Sequence, residues 1–205
     1  MTALETGDEG AHLHASAVAT LTDWAAPDDA QDALRHTMLA FLAATEPDGC
    51  LRRCAAGHVT ASTLVLDHTG TRVLLTLHPR VGRWIQLGGH CEPGDRSVRA
   101  AALREAREES GIDELWLDAA PLALHTHPIT CSLGVPTRHL DVRYLAIAPA
   151  GSREVRSAES EDLRWFPLTA LPDGAEHETI DQLARLAHRR LAALGPRSPV
   201  SSPRG

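Results

Sequence analysis

The sequence predicts a mixed β-sheet with helices packed on it, in the α/β or α+β range. Three observations carry this. Strand patterns stand on both sides of one short acidic helix within residues 88–112. Apolar strand runs come in pairs around tight turns. A long amphipathic helix follows the last strand. The 205 residues suit one domain with terminal extensions, and a hydrophobic fraction of 43% is enough for a substantial core.

The elements follow in order. Residues 1–15 are polar and mixed and read as loose, and Ser16–Ala26 reads as a short helix. Asp28 and Asp29 after Pro27 start a second helix, in which Ala30, Ala33, Leu34, Met38, Phe41 and Leu42 recur at helical spacing up to about Ala44. Pro47-Asp48-Gly49 is a turn. Residues 1–50 therefore form an N-terminal helical extension. It can pack on the core, shape a substrate entrance or build a homodimer, and the pattern leaves these open.

Residues 57–194 form the main domain. Residues 59–66 and 72–78 read as strands joined at Asp67-His68-Thr69-Gly70, a hairpin. Residues 84–87 are a short strand leading to Gly88-Gly89, read as a Gly-rich turn. Residues 115–127 carry one or two strands broken near Pro121, and 130–137 read as a loop. Residues 138–148 form a strand with Leu140, Val142, Tyr144 and Ala146 alternating. A polar segment, 151–162, crosses to a short strand at 163–166. From Glu176 to Leu194 a last helix places Ile180, Leu183, Ala184, Ala187, Leu191 and Leu194 on one face. Residues 195–205 read as a disordered tail.

Twenty basic residues against 27 acidic ones give a net charge of −7. That argues against a general nucleic-acid or anionic-membrane binder. Cys50, Cys54, Cys91 and Cys131 match no C-x-x-C pattern and read as buried thiols in a reducing compartment. The N-terminus has no leader pattern, and no apolar run is long enough to span a bilayer. The expected location is the cytoplasm.

The acidic helix carries the chemistry. Glu105, Glu108 and Glu109 stand at i, i+3 and i+4 and share a face, with Val98 and Ala101 on the same side. Arg99, Ala102, Leu103 and Ala106 make a second face able to pack on a sheet. Gly111 can end the helix in a left-handed conformation, with Ile112 as an apolar lock. Carboxylates in a last turn are opposed by the helix dipole, by roughly 0.3–1 kcal/mol each at exposed sites. They also repel one another. A divalent cation removes both penalties, and carboxylate oxygens suit Mg²⁺ or Mn²⁺.

These residues resemble the Nudix box, G-x(5)-E-x(7)-R-E-U-x-E-E-x-G-U, with U aliphatic. Residues 104–112, Arg-Glu-Ala-Arg-Glu-Glu-Ser-Gly-Ile, match its second half, and Gly89 matches the opening glycine. Asp95 stands where the family has its first glutamate. Eight residues rather than seven separate it from Arg104, so one extra residue lies in the loop before the helix. The resemblance implies an α/β/α sandwich with a mixed, partly barrel-like sheet. It also implies Mg²⁺-dependent hydrolysis of a nucleoside diphosphate linked to another group, with Mn²⁺ as a substitute. Carried across by position, Glu105, Glu108, Glu109 and the Gly89 carbonyl would be metal ligands. Glu105, Glu108 and Arg104 would be the catalytic set, with Arg104 orienting a glutamate; its i+4 partner is Glu108. The general base is Glu108 or a carboxylate of a later loop, for which Glu159 and Glu161 are candidates.

His90 follows Gly89, His125 and His127 alternate on one strand, and His139 lies on the next. They would contact substrate phosphate or complete a polar pocket; a zinc site is the other reading. The expected partner is a small phosphorylated substrate, with neither nucleic acid nor membrane. The rival reading is a catalytically silent Nudix domain that binds a nucleotide for regulation.

Overall fold

The computed structural model describes residues 6–130, 134, 136–158 and 160–195. Its elements are α1 (Thr6–Asp23), α2 (Asp29–Ala44), β1 (His58–Leu66), β2 (Arg72–His78), β3 (Arg83–Ile85), β4 (Leu87–His90), α3 (Val98–Ser110), β5 (Trp116–Leu117), β6 (Ala123–Thr130), β7 (Pro136–Ile147), β8 (Asp162–Pro167) and α4 (His177–Leu194).

β1 and β7 form the axis of the sheet. They run parallel along their whole paired length, from His58 opposite His139 to Leu66 opposite Ile147. Each then divides its other edge between two antiparallel partners. β1 pairs with β4 through 60–63 and with β2 through 65–66. β7 pairs with β6 through 136–143 and with β5 through 146–147. A sheet that splits along both axial strands must curl, as the mixed, partly barrel-like expectation requires.

Helices cover both faces. Leu13, Ala17 and Leu21 of α1 recur every four residues and join Met38 and Leu42 of α2 and Ala101, Ala102 and Ala106 of α3 against Val59, Ala61, Val142 and Tyr144. On the other face Ile180, Leu183 and Ala187 of α4 cover Leu64, Leu66, Leu75 and Leu145. The architecture is an α/β/α sandwich with two added N-terminal helices.

That extension packs on the core. The Asp28 side chain caps α2 by accepting from the Gln31 amide at 2.9 Å. The Gln31 side chain clamps the Leu124 backbone, donating to its carbonyl at 3.1 Å and accepting from its amide at 2.6 Å. The Trp24 indole donates to the Pro121 carbonyl at 2.7 Å. Leu21 is fully buried. Leu21→Ala is therefore expected to lower unfolding stability by about 2–5 kcal/mol in urea titrations. A loss below about 0.5 kcal/mol would mean the helix is not docked.

Three expectations are corrected. α1 starts at Thr6, ten residues earlier than expected, because Leu13 belongs to its apolar stripe although its neighbours are polar. Gly88 and Gly89 lie in β4, paired with Ser62 and Ala61, not in a turn. The expected loop at 130–137 is shorter: β6 reaches Thr130, β7 starts at Pro136, and these two residues pair. The tail after Gly195, Cys131 and Glu159 lie outside the described residues. Among the described residues no helix is long and apolar enough to cross a membrane.

Candidate active site

α3 is set by local chemistry at both ends. The Ser97 hydroxyl accepts from the Ala100 amide at 3.0 Å and caps its start. Gly111 ends it with φ of 66°, and its amide donates to the Arg107 carbonyl at 2.8 Å. Val98, Ala101, Ala102 and Ala106 seat it on the sheet, and their small side chains bring it close.

The close seating separates the three glutamates. Glu105 and Glu109 lie on the packed face, 9% and 6% exposed, whereas the Glu108 side chain is 59% exposed. The expected shared face therefore carries two buried carboxylates, Glu105 and Glu109, with Glu108 at the rim. The second face packs as expected through Ala102 and Ala106, both fully buried, with Leu103 half-buried and Arg99 donating to the Asp118 carbonyl at 2.8 Å.

β4 supplies the other half of the arrangement. The Gly88 amide donates to Glu109 Oε2 at 2.9 Å. A Cβ placed on Gly89 would lie 2.6 Å from Glu105 Oε2 and 2.7 Å from its Cδ. Glycine at 89 is thus what lets the backbone lie directly against the Glu105 carboxylate.

Arg104 ties this corner together. Its Nε and Nη2 donate to the two oxygens of Asp95 at 3.0 and 2.9 Å, a bidentate pair. Its Nη1 donates to Glu105 Oε1 and Glu108 Oε2, both at 3.0 Å, and its Nη2 to the His90 carbonyl at 2.9 Å. The Asp95 side chain, largely raising the affinity of Arg104 for its proton, keeps the guanidinium charged. Asp95 is buried and also accepts from the Glu92 amide at 2.8 Å. With eight residues between them, Asp95 and Arg104 meet carboxylate to guanidinium.

One guanidinium against the carboxylates of Asp95, Glu105, Glu108 and Glu109 leaves three negative charges in this group. Oxygen donors, an excess of negative charge and a backbone held against Glu105 by a glycine fit a hard divalent cation such as Mg²⁺ or Mn²⁺. Asp95→Asn keeps the shape but weakens the clamp on Arg104. It is expected to raise the divalent-cation concentration for half-maximal activity about 10- to 100-fold. An unchanged activation curve would show that this pair does not position the acids.

The opposite wall is a polar grid on the sheet. His58, Thr60 and Ser62 of β1 stand beside His139, Asp141 and Arg143 of β7. On β6, His127 and His125 stand opposite His139 and Asp141. Asp141 accepts from Thr60 Oγ1 at 3.1 Å, Ser62 Oγ at 2.7 Å and Arg143 Nε at 2.9 Å. Burial pushes its pKa up, but Arg143 and these hydrogen bonds outweigh burial and hold it below the usual carboxylate range. Between the two walls is a cavity of about 480 Å³. Glu105, Glu108 and Glu109 line it on one side; His90, His127, His139 and Asp141 line it on the other, with Arg52 and Arg80 at its edge. His125 does not line the cavity. It sits beside His127, with their Nδ1 atoms 3.4 Å apart. Glu161 is exposed and also outside the lining. Cys91 is buried, and burial pushes its thiol well up, which disfavours a nucleophilic thiolate.

The family model described as the NUDIX domain matches residues 57–186, more than half of the chain. The chain belongs to the Nudix family. Among curated relatives, the NAD-capped RNA hydrolase NudC of Pseudomonas aeruginosa (strain LESB58) is 31% identical over 116 residues, 56% of this chain and 38% of that protein. The chain thus spans well under half the length of the relative it matches. Among solved structures, a NUDIX-family hydrolase from Clostridium perfringens superposes with a TM-score of 0.52 at 22% identity, covering 65% of this chain and 98% of that one. The NUDIX domain of Shewanella oneidensis NrtR, complexed with ADP ribose, gives 0.51 at 22% identity, covering 74% and 96%. At such identity these two structures show the shared Nudix fold.

Within this Nudix site, sequence reasoning missed Thr60, Ser62, Arg52 and Arg80. For Thr60 and Ser62 a signal existed: polar residues at period two in strands whose other face is apolar. Arg52 and Arg80 lie in irregular segments and left none.

The histidines also make the fold acid-sensitive. Burial, the main cause, lowers His125 and His139 to about 4, with Arg143 next for His125 and His58 next for His139. In the unfolded chain histidine binds its proton near pH 6.5. Between about pH 4 and 6.5 the unfolded state therefore holds more protons, and stability is complete above that window and falls as pH drops through it. The thermal midpoint of chelator-treated protein should fall from pH 7 to 4.5. His139→Gln should fall less steeply; an equal slope would contradict the assignment.

Proposed function

We propose that the chain is a divalent-metal-dependent pyrophosphohydrolase that opens the diphosphate linkage of a nucleoside diphosphate joined to a second group. The observation that carries this is the pair of buried carboxylates, Glu105 and Glu109, held against the Gly88–Gly89 backbone by α3 and steadied by Arg104. Glu105, Glu109, Glu108 and the Gly89 carbonyl would hold Mg²⁺, with Mn²⁺ as a substitute, and the cation would supply charge neutralisation at the diphosphate and a more acidic water.

The chain's own residues do the rest. Arg104 orients Glu105 and Glu108 by charge-assisted hydrogen bonds. Glu108, at the rim, accepts the proton of the attacking water. The water oxygen bonds to phosphorus, the bridging P–O bond breaks, and two phosphorylated products leave. Arg52 and Arg80 attract the substrate's phosphates across the cavity, and His90, His127 and His139 hydrogen-bond to them. His125 holds His127 in place. The cavity of about 480 Å³ is within the usual range for a small-molecule site. The names of two relatives, an NAD-capped RNA hydrolase and a domain complexed with ADP ribose, share nucleoside diphosphate chemistry and support the same class.

The test is turnover of ADP-ribose, NADH, diadenosine polyphosphates and nucleoside triphosphates with millimolar Mg²⁺, followed by chromatography. At least one is expected to give two phosphorylated products, with none in chelator. Absence of turnover with both Mg²⁺ and Mn²⁺ would leave a binding domain as the reading.

A further inference from the structure

The polar wall contains a cluster of three histidines, of which the hydrolytic reading uses two, His90 and His139, and leaves the third, His58, without a role. His58, His90 and His139 come from the neighbouring strands β1, β4 and β7. Their ring centroids form a near-equilateral triangle: 5.0 Å from His58 to His90, 4.9 Å from His58 to His139, and 5.0 Å from His90 to His139. One ring nitrogen from each lies within 4.8 Å of those of the other two. His58 is 1% exposed, and neither of its ring nitrogens has a hydrogen-bond partner among the described residues. A backbone hydrogen bond with Cys54, too loosely aligned to satisfy either ring nitrogen, opposes part of the depression caused by burial. His139 is 8% exposed, and its Nε2 is likewise without a partner. Buried polar atoms left this way are destabilising, so a ligand that engages them would be stabilising.

We propose that His58, His90 and His139 form a second metal site, with three imidazole ligands and a preference for Zn²⁺ over Mg²⁺. Three nitrogen donors without a carboxylate are a borderline-soft set, which suits Zn²⁺ and not a hard cation. Zinc–nitrogen distances of about 2.0–2.1 Å require each nitrogen to move at most about 0.8 Å toward the common centre. His90 and His139 line the cavity, so the fourth position opens toward it and can take water or a phosphate oxygen. The nearby charges are Arg52, exposed, which opposes a cation at all three rings, Arg80, exposed, which opposes one at His90, and Asp141, buried, which favours a cation at His139. At His139 the buried carboxylate outweighs Arg52, although Arg143 already pairs with it. This site does not depend on the hydrolase reading.

The experiment uses the full chain carrying Glu105→Gln and Glu109→Gln, so that the oxygen-donor site is disabled. After chelator treatment and incubation with Zn²⁺, one equivalent of zinc is expected to survive desalting by elemental analysis. Adding His139→Gln or His90→Gln should weaken zinc binding at least tenfold, in the range seen when a metal site loses support. The Co²⁺ form of the double variant should show the intense visible absorption of four-coordinate cobalt, which decides the matter if a histidine variant fails to fold. No retained zinc, zinc retained equally by folded histidine variants, or the pale spectrum of six-coordinate cobalt would each overturn the proposal.

Discussion

Glu109→Gln is expected to keep the fold and lower kcat by roughly 10²- to 10³-fold, because a cation at a developing phosphate charge supplies several kcal/mol to the transition state. The amide retains an oxygen that can accept from the Gly88 amide, so the 2.9 Å contact that joins α3 to β4 survives. What is lost is one negative charge in a corner where Asp95, Glu105 and Glu108 already converge on Arg104. The thermal midpoint should therefore hold or rise while activity collapses, since like-charge repulsion falls with the charge. Titration calorimetry with Mg²⁺ should show weaker binding in parallel. Activity within about threefold of the parent, in a folded variant, would remove Glu109 from the metal set.

Substitution of the two adjacent glycines should separate function from stability. On Gly89→Ala, the new methyl meets the carboxylate end of Glu105 at 2.6–2.8 Å. A flexible side-chain end can move, so the fold tolerates the change, but the carboxylate leaves its place beside the backbone. Activity is expected to fall by about 100-fold, the scale of a displaced catalytic group. On Gly88→Ala, the new methyl meets the Ser62 Cα and the Ala61 carbonyl at 2.5 and 2.6 Å, and φ is 147°, unfavourable for any side chain. Backbone cannot yield as a carboxylate can, so stability should fall by about 2–4 kcal/mol. Paired kinetic and denaturation measurements check both. The opposite pattern, a stable Gly88→Ala and an unfolded Gly89→Ala, would contradict the placement of β4.

The acidic helix was legible because its signals are local. Glu105, Glu108 and Glu109 need only helical periodicity to be seen together, and Gly111 needs only the left-handed stop it provides. That Glu105 and Glu109 are buried while Glu108 is not depends on β4 lying alongside, which a helical wheel does not contain. Gly88-Gly89 read as a turn because glycine favours turns. In the fold it serves close approach within a strand. The histidine wall required the parallel register of β1 with β7 and the antiparallel register of β6 with β7, which are contacts between distant residues. His125 and His127 could be placed on one side of a strand from sequence, but not His58 beside His139. The start of α1 was hidden because its buried face is only every fourth residue among polar neighbours.

The most direct test of the central claim is hydrolysis in ¹⁸O-enriched water with Mg²⁺, using a substrate found in the turnover panel and reading the products by ³¹P NMR. Attack by water on phosphorus at the acidic corner predicts one ¹⁸O atom on one of the two phosphorylated products, and no labelled product with chelator or with Glu109→Gln. Equal labelling without the metal, or cleavage that leaves both phosphorylated products unlabelled, would contradict it.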